Sequence, residues 1–342
     1  MPGKGSRLSG GKGGRLSGQG GGLSGQGGGL SGQRSGVPCE GSRLPRKRGG
    51  MSGGEGSRLR GRIAMRLEGV GIGLRRAFHE ALFETTRRVD WIEIVAENFM
   101  GLGRRPARVL ERCLERWPVV SHGVALSVGG PDAMDPYLHA LRPLLDRLGA
   151  PFFSDHLCYA SVGGQQSFDL LPLPFHEEAI EHVARRAREV QERMGRPLLL
   201  ENITYYAVMP GGDLPEPDFV RAVVERADVS LLLDLNNLFL NAKNHGGDPF
   251  DALDRLPIAR VRQVHLAGFT PEDDLLLDTH SRPVCEPVWA LYREVVRRIG
   301  PVPTLIEWDQ SIPSLDAVLD EADRARSIQQ QTPMEAPRSH AA

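Results

Sequence analysis

Cysteine is scarce in this chain: four residues in 342 (Cys39, Cys113, Cys158 and Cys285), scattered and without a CxxC pair. That excludes a disulfide framework and a structural zinc site built on thiolates, and it fits a reducing, cytoplasmic setting. Apolar runs stay short of the roughly 20 residues that span a bilayer. No apolar core of a secretory signal stands near the start. A phosphate-binding loop and a nucleophile elbow are missing as well. The glycines of GVGIG (69–73) lie inside a strand-like run, not between a strand and a helix, so they do not make a dinucleotide loop.

Charge is unevenly spread. The net value of −1 conceals a first segment, residues 1–62, with 12 Lys/Arg against 2 Asp/Glu and 23 of the 41 glycines. The remainder is acidic, with 30 Lys/Arg against 41 Asp/Glu. Within RLSGQGGGLSGQGGGLSGQ (15–33), Leu16, Leu23 and Leu30 recur every seven residues. The filler is Gly, Ser and Gln, which cannot bury enough surface to offset ordering entropy, so residues 1–64 read as a disordered extension. A basic arm for nucleic acid is the other reading, weakened by the lack of aromatics for base stacking. MRLEGVGIGLR (65–75) looks like the opening of a folded domain, with Met51 or Met65 as alternative starts. A polar tail is expected over 328–342.

Residues 65–327 alternate between two periods. Strand-like runs fall at 69–75, 91–97, 119–126, 152–159, 197–204, 230–237, 261–268 and 302–308. Amphipathic stretches separate them, as in EEAIEHVARRAREVQERM (177–194), where Ala179, Ile180, Val183, Ala187 and Val190 form one stripe. DPYLHALRPLLDRLG (135–149) opens on Asp-Pro and stops at glycine, as helices do. Eight strands each followed by a helix predict an α/β fold, a (β/α)8 TIM barrel.

In such a barrel the active site lies at the C-terminal strand ends. Reading those ends gives Glu97-Asn98, His122, Asp155-His156, Glu201-Asn202, Asp234 with Asn236 and Asn237, His265, and Glu307 with Asp309. Loops add His245, Asp278 and His280. Carboxylates and imidazoles converging on one cavity need a cation, and oxygen with imidazole ligands suits iron, manganese or zinc. There are more ligands than one ion can use, so at least two metals are expected, with a carboxylate such as Glu201 bridging. Asp278 and His280, two apart in a loop, can reach one ion. His79, His139, His176 and His182 sit on helices or at their starts and read as structural or solvent-facing. Cys158 reads as core. DLLPLPF (169–175) reads as a packed loop, with a lid as the alternative.

SHGVALSVGG, SDHLCY, LLPLPF, LLENITYY, LLLDLNNLFLNAKNHGGDP, VHLAGF, DTHSRPV and LIEWD occur in this order across the chain. Together they resemble the multinuclear non-haem iron oxygenases typified by the methanobactin biosynthesis enzyme MbnB and by TglH, which have a xylose-isomerase-like barrel. The resemblance implies two or three irons of mixed ferrous and ferric state. Their ligands would be His122, His156, Glu201, Asp234, His265, Asp278, His280 and Glu307, with Glu201, Asp234 and His280 the catalytic core. Asp155, Asn202, Asn236 and His245 would support them. It further implies dioxygen as co-substrate, a cysteine of a ribosomally made precursor peptide as target, and a small partner protein that presents the peptide leader. His176, where relatives tend to have a hydroxyl, and the second glycine of NHGGD depart from the pattern. A divalent-metal isomerase or an endonuclease of the same barrel type is the alternative. No lysine at a strand end supports the isomerase, and the acidic residues 63–342 argue against the endonuclease. A non-enzymatic metal-binding protein is a third reading.

Overall fold

The computed structural model describes residues 67–101 and 103–334. The expected extension, 1–64, and the last part of the expected tail, 335–342, lie outside the described residues. The strands in chain order are β1 (Val70–Gly73), β2 (Ile92–Val95), β3 (Val119–His122) and β4 (Phe153–His156). Next come β5 (Tyr159–Val162), β6 (Gln165–Leu171), β7 (Leu198–Glu201) and β8 (Ser230–Asp234). Last are β9 (Val261–Leu266), β10 (Thr270–Glu272), β11 (Leu275–Leu277) and β12 (Thr304–Ile306). Eight of them close into a barrel in the order β1-β12-β9-β8-β7-β4-β3-β2, and every neighbouring pair is parallel. The expected TIM barrel is present. LLLE of β7 is buried throughout, because a parallel strand is covered by side chains inside and by helices outside.

The helices are α1 (His79–Glu84), α2 (Arg104–Leu114), α3 (Asp135–Leu148), α4 (Glu177–Met194) and α5 (Glu216–Ala227). They continue with α6 (Leu235–Asn244), α7 (Pro249–Arg255), α8 (Glu286–Ile299) and α9 (Leu315–Gln331). The stripe foreseen on α4 is its buried face. His176 begins this helix: its Nδ1 accepts from the Ala179 backbone N–H at 3.1 Å, satisfying a donor the helix cannot. Gly195 closes it at φ 63°, where a side chain would be strained.

Several expected boundaries shift, each for a local reason. β8 stops at Asp234, not 237, because the Asp234 carboxylate caps α6 by accepting from Asn237 N–H at 2.7 Å. Asn236 and Asn237 are therefore in the first turn of a helix. β4 stops at His156, and the chain turns into the antiparallel hairpin β5–β6. A second hairpin, β10–β11, follows β9. α9 runs to Gln331, past the boundary expected at 327, because its apolar face stays buried as far as Ile328. DLLPLPF leaves β6 and packs: Leu173 and Phe175 are buried, and Phe175 meets Tyr205 edge-on at 5.4 Å. Cys158 is fully buried beside Ala160 and Ile203.

Candidate metal centre

Strand register builds the site. In β4 and β7, His156 stands beside Glu201; in β8 and β9, Asp234 stands beside His265. These ends, with β3, β12 and the loop after β11, bring their ligand atoms into three groups. His122, His156 and Glu201 form the first; Glu201, Asp234 and His265 the second; Asp234, His280 and Glu307 the third. All seven residues are buried. Glu201 belongs to two groups and Asp234 to two, so the groups form a chain linked by carboxylates.

The distances are short. His122 Nε2 lies 3.0 Å from Glu201 Oε2, and His156 Nε2 lies 3.4 Å from the same oxygen. His265 Nδ1 lies 3.4 Å from Glu201 Oε1 and 3.1 Å from Glu307 Oε2. His280 Nε2 lies 2.7 Å from Asp278 Oδ1. Yet none of these contacts is a well-directed hydrogen bond, and Glu201 Oε2, Asp234 Oδ2, His265 Nδ1 and His280 Nε2 are buried without one. Orphaned buried polar atoms are costly, and native proteins avoid them. Four of them aimed at one region fit a cation, and the oxygen and imidazole donor set suits iron, manganese or zinc.

Each histidine is held by its other nitrogen. His156 Nδ1 donates to the Gly123 carbonyl at 3.0 Å. His122 Nδ1 meets Ser154 Oγ at 2.9 Å, and His280 Nδ1 meets Asp309 Oδ2 at 2.9 Å. Asp309 is fixed in turn by Arg75, 2.5 Å away. A partner on the far nitrogen sets ring orientation and leaves the near one for a ligand. His280 is held at φ 46°, a left-handed conformation unusual for a side-chain-bearing residue. Its carbonyl accepts from the Asp309 backbone at 2.9 Å, which stabilises that turn.

Burial and charge divide the titratable groups. Burial pulls His156 down to about 4. Burial would also depress His122, but the Glu201 carboxylate outweighs it and lifts the ring to about 9. Burial opposes the charged form of Glu201 too, and His265, His122 and His156 nonetheless hold it well below the usual carboxylate range. Asp234 goes the other way, pushed well up by burial and by the charge of Glu201. Ligands of these types bind a metal in their deprotonated form, so a cation held here would displace protons.

The eight expected ligands meet at the barrel mouth, with Asp278 placed beside His280 and outside the three groups. The expected supports divide. Asn202 clasps the Asp234 backbone, with its Nδ2 donating to the carbonyl at 2.9 Å and its Oδ1 accepting from the N–H at 3.0 Å. Asn236 Nδ2 donates to Asp278 Oδ1 at 2.9 Å. Asp155 accepts from the His156 backbone at 2.7 Å, while the His156 ring is held by Gly123. His245 is not brought to the ligands: at the end of α6 its Nε2 meets the Tyr205 carbonyl at 3.0 Å and its ring stacks on Tyr205. Glu97 accepts from Val124 and Ala125 N–H and from Tyr137 O–H, pinning the loop after β3. Asp309, read at the end of the last strand, orients His280, whereas Ser154, Arg75, Glu93 and Gln263 were not foreseen as site residues. Two of them carried a signal: Gln263 shares the inward face of His265 by strand alternation, and Glu93 interrupts an apolar run.

Fold and site together define a TIM barrel with three linked groups of metal-type ligands at the C-terminal face of its strands. A solved D-psicose 3-epimerase of Clostridium cellulolyticum H10, with D-tagatose, shares this fold at a TM-score of 0.52. It is 11% identical and covers 79% of this chain and all of its own. The chain belongs to the family described as RiPP precursor modification enzyme MbnB/TglH/ChrH, whose pattern matches residues 69–330. A UPF0276 protein of Anaeromyxobacter sp. (strain Fw109-5) is 45% identical over 265 residues, 77% of this chain and 94% of its own. One of Acaryochloris marina is 43% identical over 260 residues, 76% and 94% of the two chains. Among the described residues no helix is long and apolar enough to cross a membrane.

Proposed function

We propose that this protein is an iron-dependent oxidase or oxygenase that modifies a cysteine of a ribosomally synthesised precursor peptide with dioxygen. It acts in the cytoplasm with a small partner protein that presents the peptide leader. The observation that carries the reading is the chain of three ligand groups joined through Glu201 and Asp234. A mononuclear barrel enzyme has no use for two shared carboxylates. Family membership supplies the peptide as substrate class.

His122, His156 and Glu201 would hold one ion, and Glu201, Asp234 and His265 a second. Asp234, His280 and Glu307 would hold a third, with Asp278 beside it. Bound iron would supply the activation of dioxygen and the removal of hydrogen from the cysteine. The protein's own part is to keep seven donors in place before any substrate arrives. Ser154, the Gly123 carbonyl and Asp309 orient three imidazoles, and Asn202 fixes the Asp234 backbone. Arg75, donating to Asp309 and lying 3.4 Å from Glu307 Oε1, balances carboxylate charge at the rim. The alternative of a sugar isomerase would need a lysine or histidine acid/base near the ring, and among the described residues Lys243 is on α6, away from the strand ends.

The test is anaerobic reconstitution with ferrous iron, elemental analysis, then oxygen uptake with a cysteine-bearing precursor peptide encoded beside the gene. Two or three irons per chain are expected, with oxygen uptake and a mass change that vanish when the cysteine is replaced by serine. One stoichiometric zinc and no oxygen uptake would overturn the reading.

A further inference from the structure

Glu93 stands in β2, separated from β9 in the barrel by β1 and β12. Its carboxylate nevertheless meets two β9 side chains inside the barrel. Oε1 lies 3.3 Å from His265 Nε2, and Oε2 accepts from Gln263 Nε2 at 2.6 Å. Gln263 and His265 are two apart and share the inward face. Glu93 is 4% exposed, and Gln263 and His265 are not exposed at all. On the opposite edge of the ring, His265 Nδ1 faces Glu201 and Glu307 with no hydrogen-bond partner.

A neutral imidazole carries one proton for its two nitrogens. With the proton on Nδ1, the lone pair points down into the barrel and the ring cannot serve as a ligand. The Gln263 amide, 2.9 Å from Nε2, supports that idle form. A carboxylate acceptor at Nε2 supports the other. Hydrogen bonds to a charged partner are about twice as strong as neutral ones, and of the three carboxylates that face the ring, a cation held by Glu201 and Glu307 would leave Glu93 to take its proton.

We propose that Glu93 is a positioning residue that holds the proton of His265 on Nε2 and so turns Nδ1 toward the metal centre. Gln263 steadies Glu93 by donating to its other oxygen. The proposal rests on the metal-centre reading above. It makes the buried floor of the barrel, below the ligands, part of what loads the site.

Two measurements test it. Histidine-selective nitrogen-15 NMR of the zinc-loaded wild-type chain reads the tautomer directly, zinc being a diamagnetic probe. His265 protonated on Nε2 is expected, and His265 protonated on Nδ1 overturns the proposal. Metal content and release to excess chelator are then compared between ferrous wild type and E93A, with melting of the metal-free chains as a control for folding. E93A is expected to lose one metal equivalent at least tenfold faster than wild type, on the order of what lost ligand-supporting partners cost. Release as slow as wild type overturns the proposal. Should E93A fail to fold, E93Q takes its place, with the same faster release expected and release as slow as wild type overturning the proposal. A wild type that holds fewer than two metals would instead overturn the metal-centre reading, and this proposal with it.

Discussion

Asp234 spends its two carboxylate oxygens on different tasks: Oδ1 accepts from Asn237 N–H at 2.7 Å, and Oδ2 is buried with no partner. One oxygen starts α6; the other faces the ligand groups. Asp234→Asn keeps a capping oxygen and replaces the free one with an amide. Its helix cap, worth about 1 kcal/mol, should survive, while the second and third groups lose their shared carboxylate. Expected is a chain that melts like wild type in the metal-free state and retains only the metal of the His122–His156–Glu201 group. Elemental analysis with differential scanning calorimetry checks both halves. Full metal content would show that Asp234 is a cap and nothing more.

Glu201 gives the mirror experiment. It joins the first and second groups, so Glu201→Gln should lose more than one iron and spare the group of Asp234, His280 and Glu307. The two variants together distinguish sharing from simple proximity. Each should keep a single metal, and the double variant none. Retention of all metal in Glu201→Gln would remove this residue from the ligand set.

The barrel and the identity of its ligand-type residues were legible because parallel strands are continuous apolar runs, and a carboxylate or imidazole at their ends stands out. LLLEN and LLLDLNN are the plainest cases. Legibility stopped where geometry depends on distant partners. That Asp234 ends its strand follows from its capping bond, and the apolar residues beyond it (Leu235, Leu238, Phe239 and Leu240) prolong the apolar run and hide the start of the helix. Which atom orients His156 was invisible too, since the donor's partner is a backbone carbonyl of Gly123 and any residue has one. His245 looked like a site residue from its loop position, but α6 carries it to Tyr205. Glu93 escaped notice because it lies mid-strand and its partners are 170 residues away.

The glycines of β1 have a packing role that predicts a destabilised variant. A Cβ built on Gly71 would lie 2.3 Å from the Trp91 ring, and Trp91 is fully buried. The strand cannot move away, because Gly71 pairs with Leu305 of β12. Gly71→Ala should therefore lower stability by roughly 1–3 kcal/mol, the usual range for overpacking a core. Chemical denaturation of the metal-free chain measures it. An unchanged midpoint would mean the ring has room that the packing does not show.

Glu216 makes stability depend on pH in a direction opposite to most carboxylates. It lies in the first turn of α5, buried beside a small cavity lined by Phe175, Phe219 and Val220. Burial pushes its carboxyl up to about 7. The folded chain therefore holds a proton that the unfolded chain releases near its ordinary value of 4.5. Folding is favoured by this group below that value, and the benefit is lost as pH rises through 7. The full swing is roughly 3 kcal/mol, from the shift in proton affinity. Glu216→Gln cannot ionise, so its stability relative to wild type should climb by about that amount between pH 4.5 and pH 8. Parallel denaturation curves across this range check it, the other titrating groups cancelling between the two proteins. A constant difference would show that Glu216 is ionised in the folded chain, with a partner that offsets its burial.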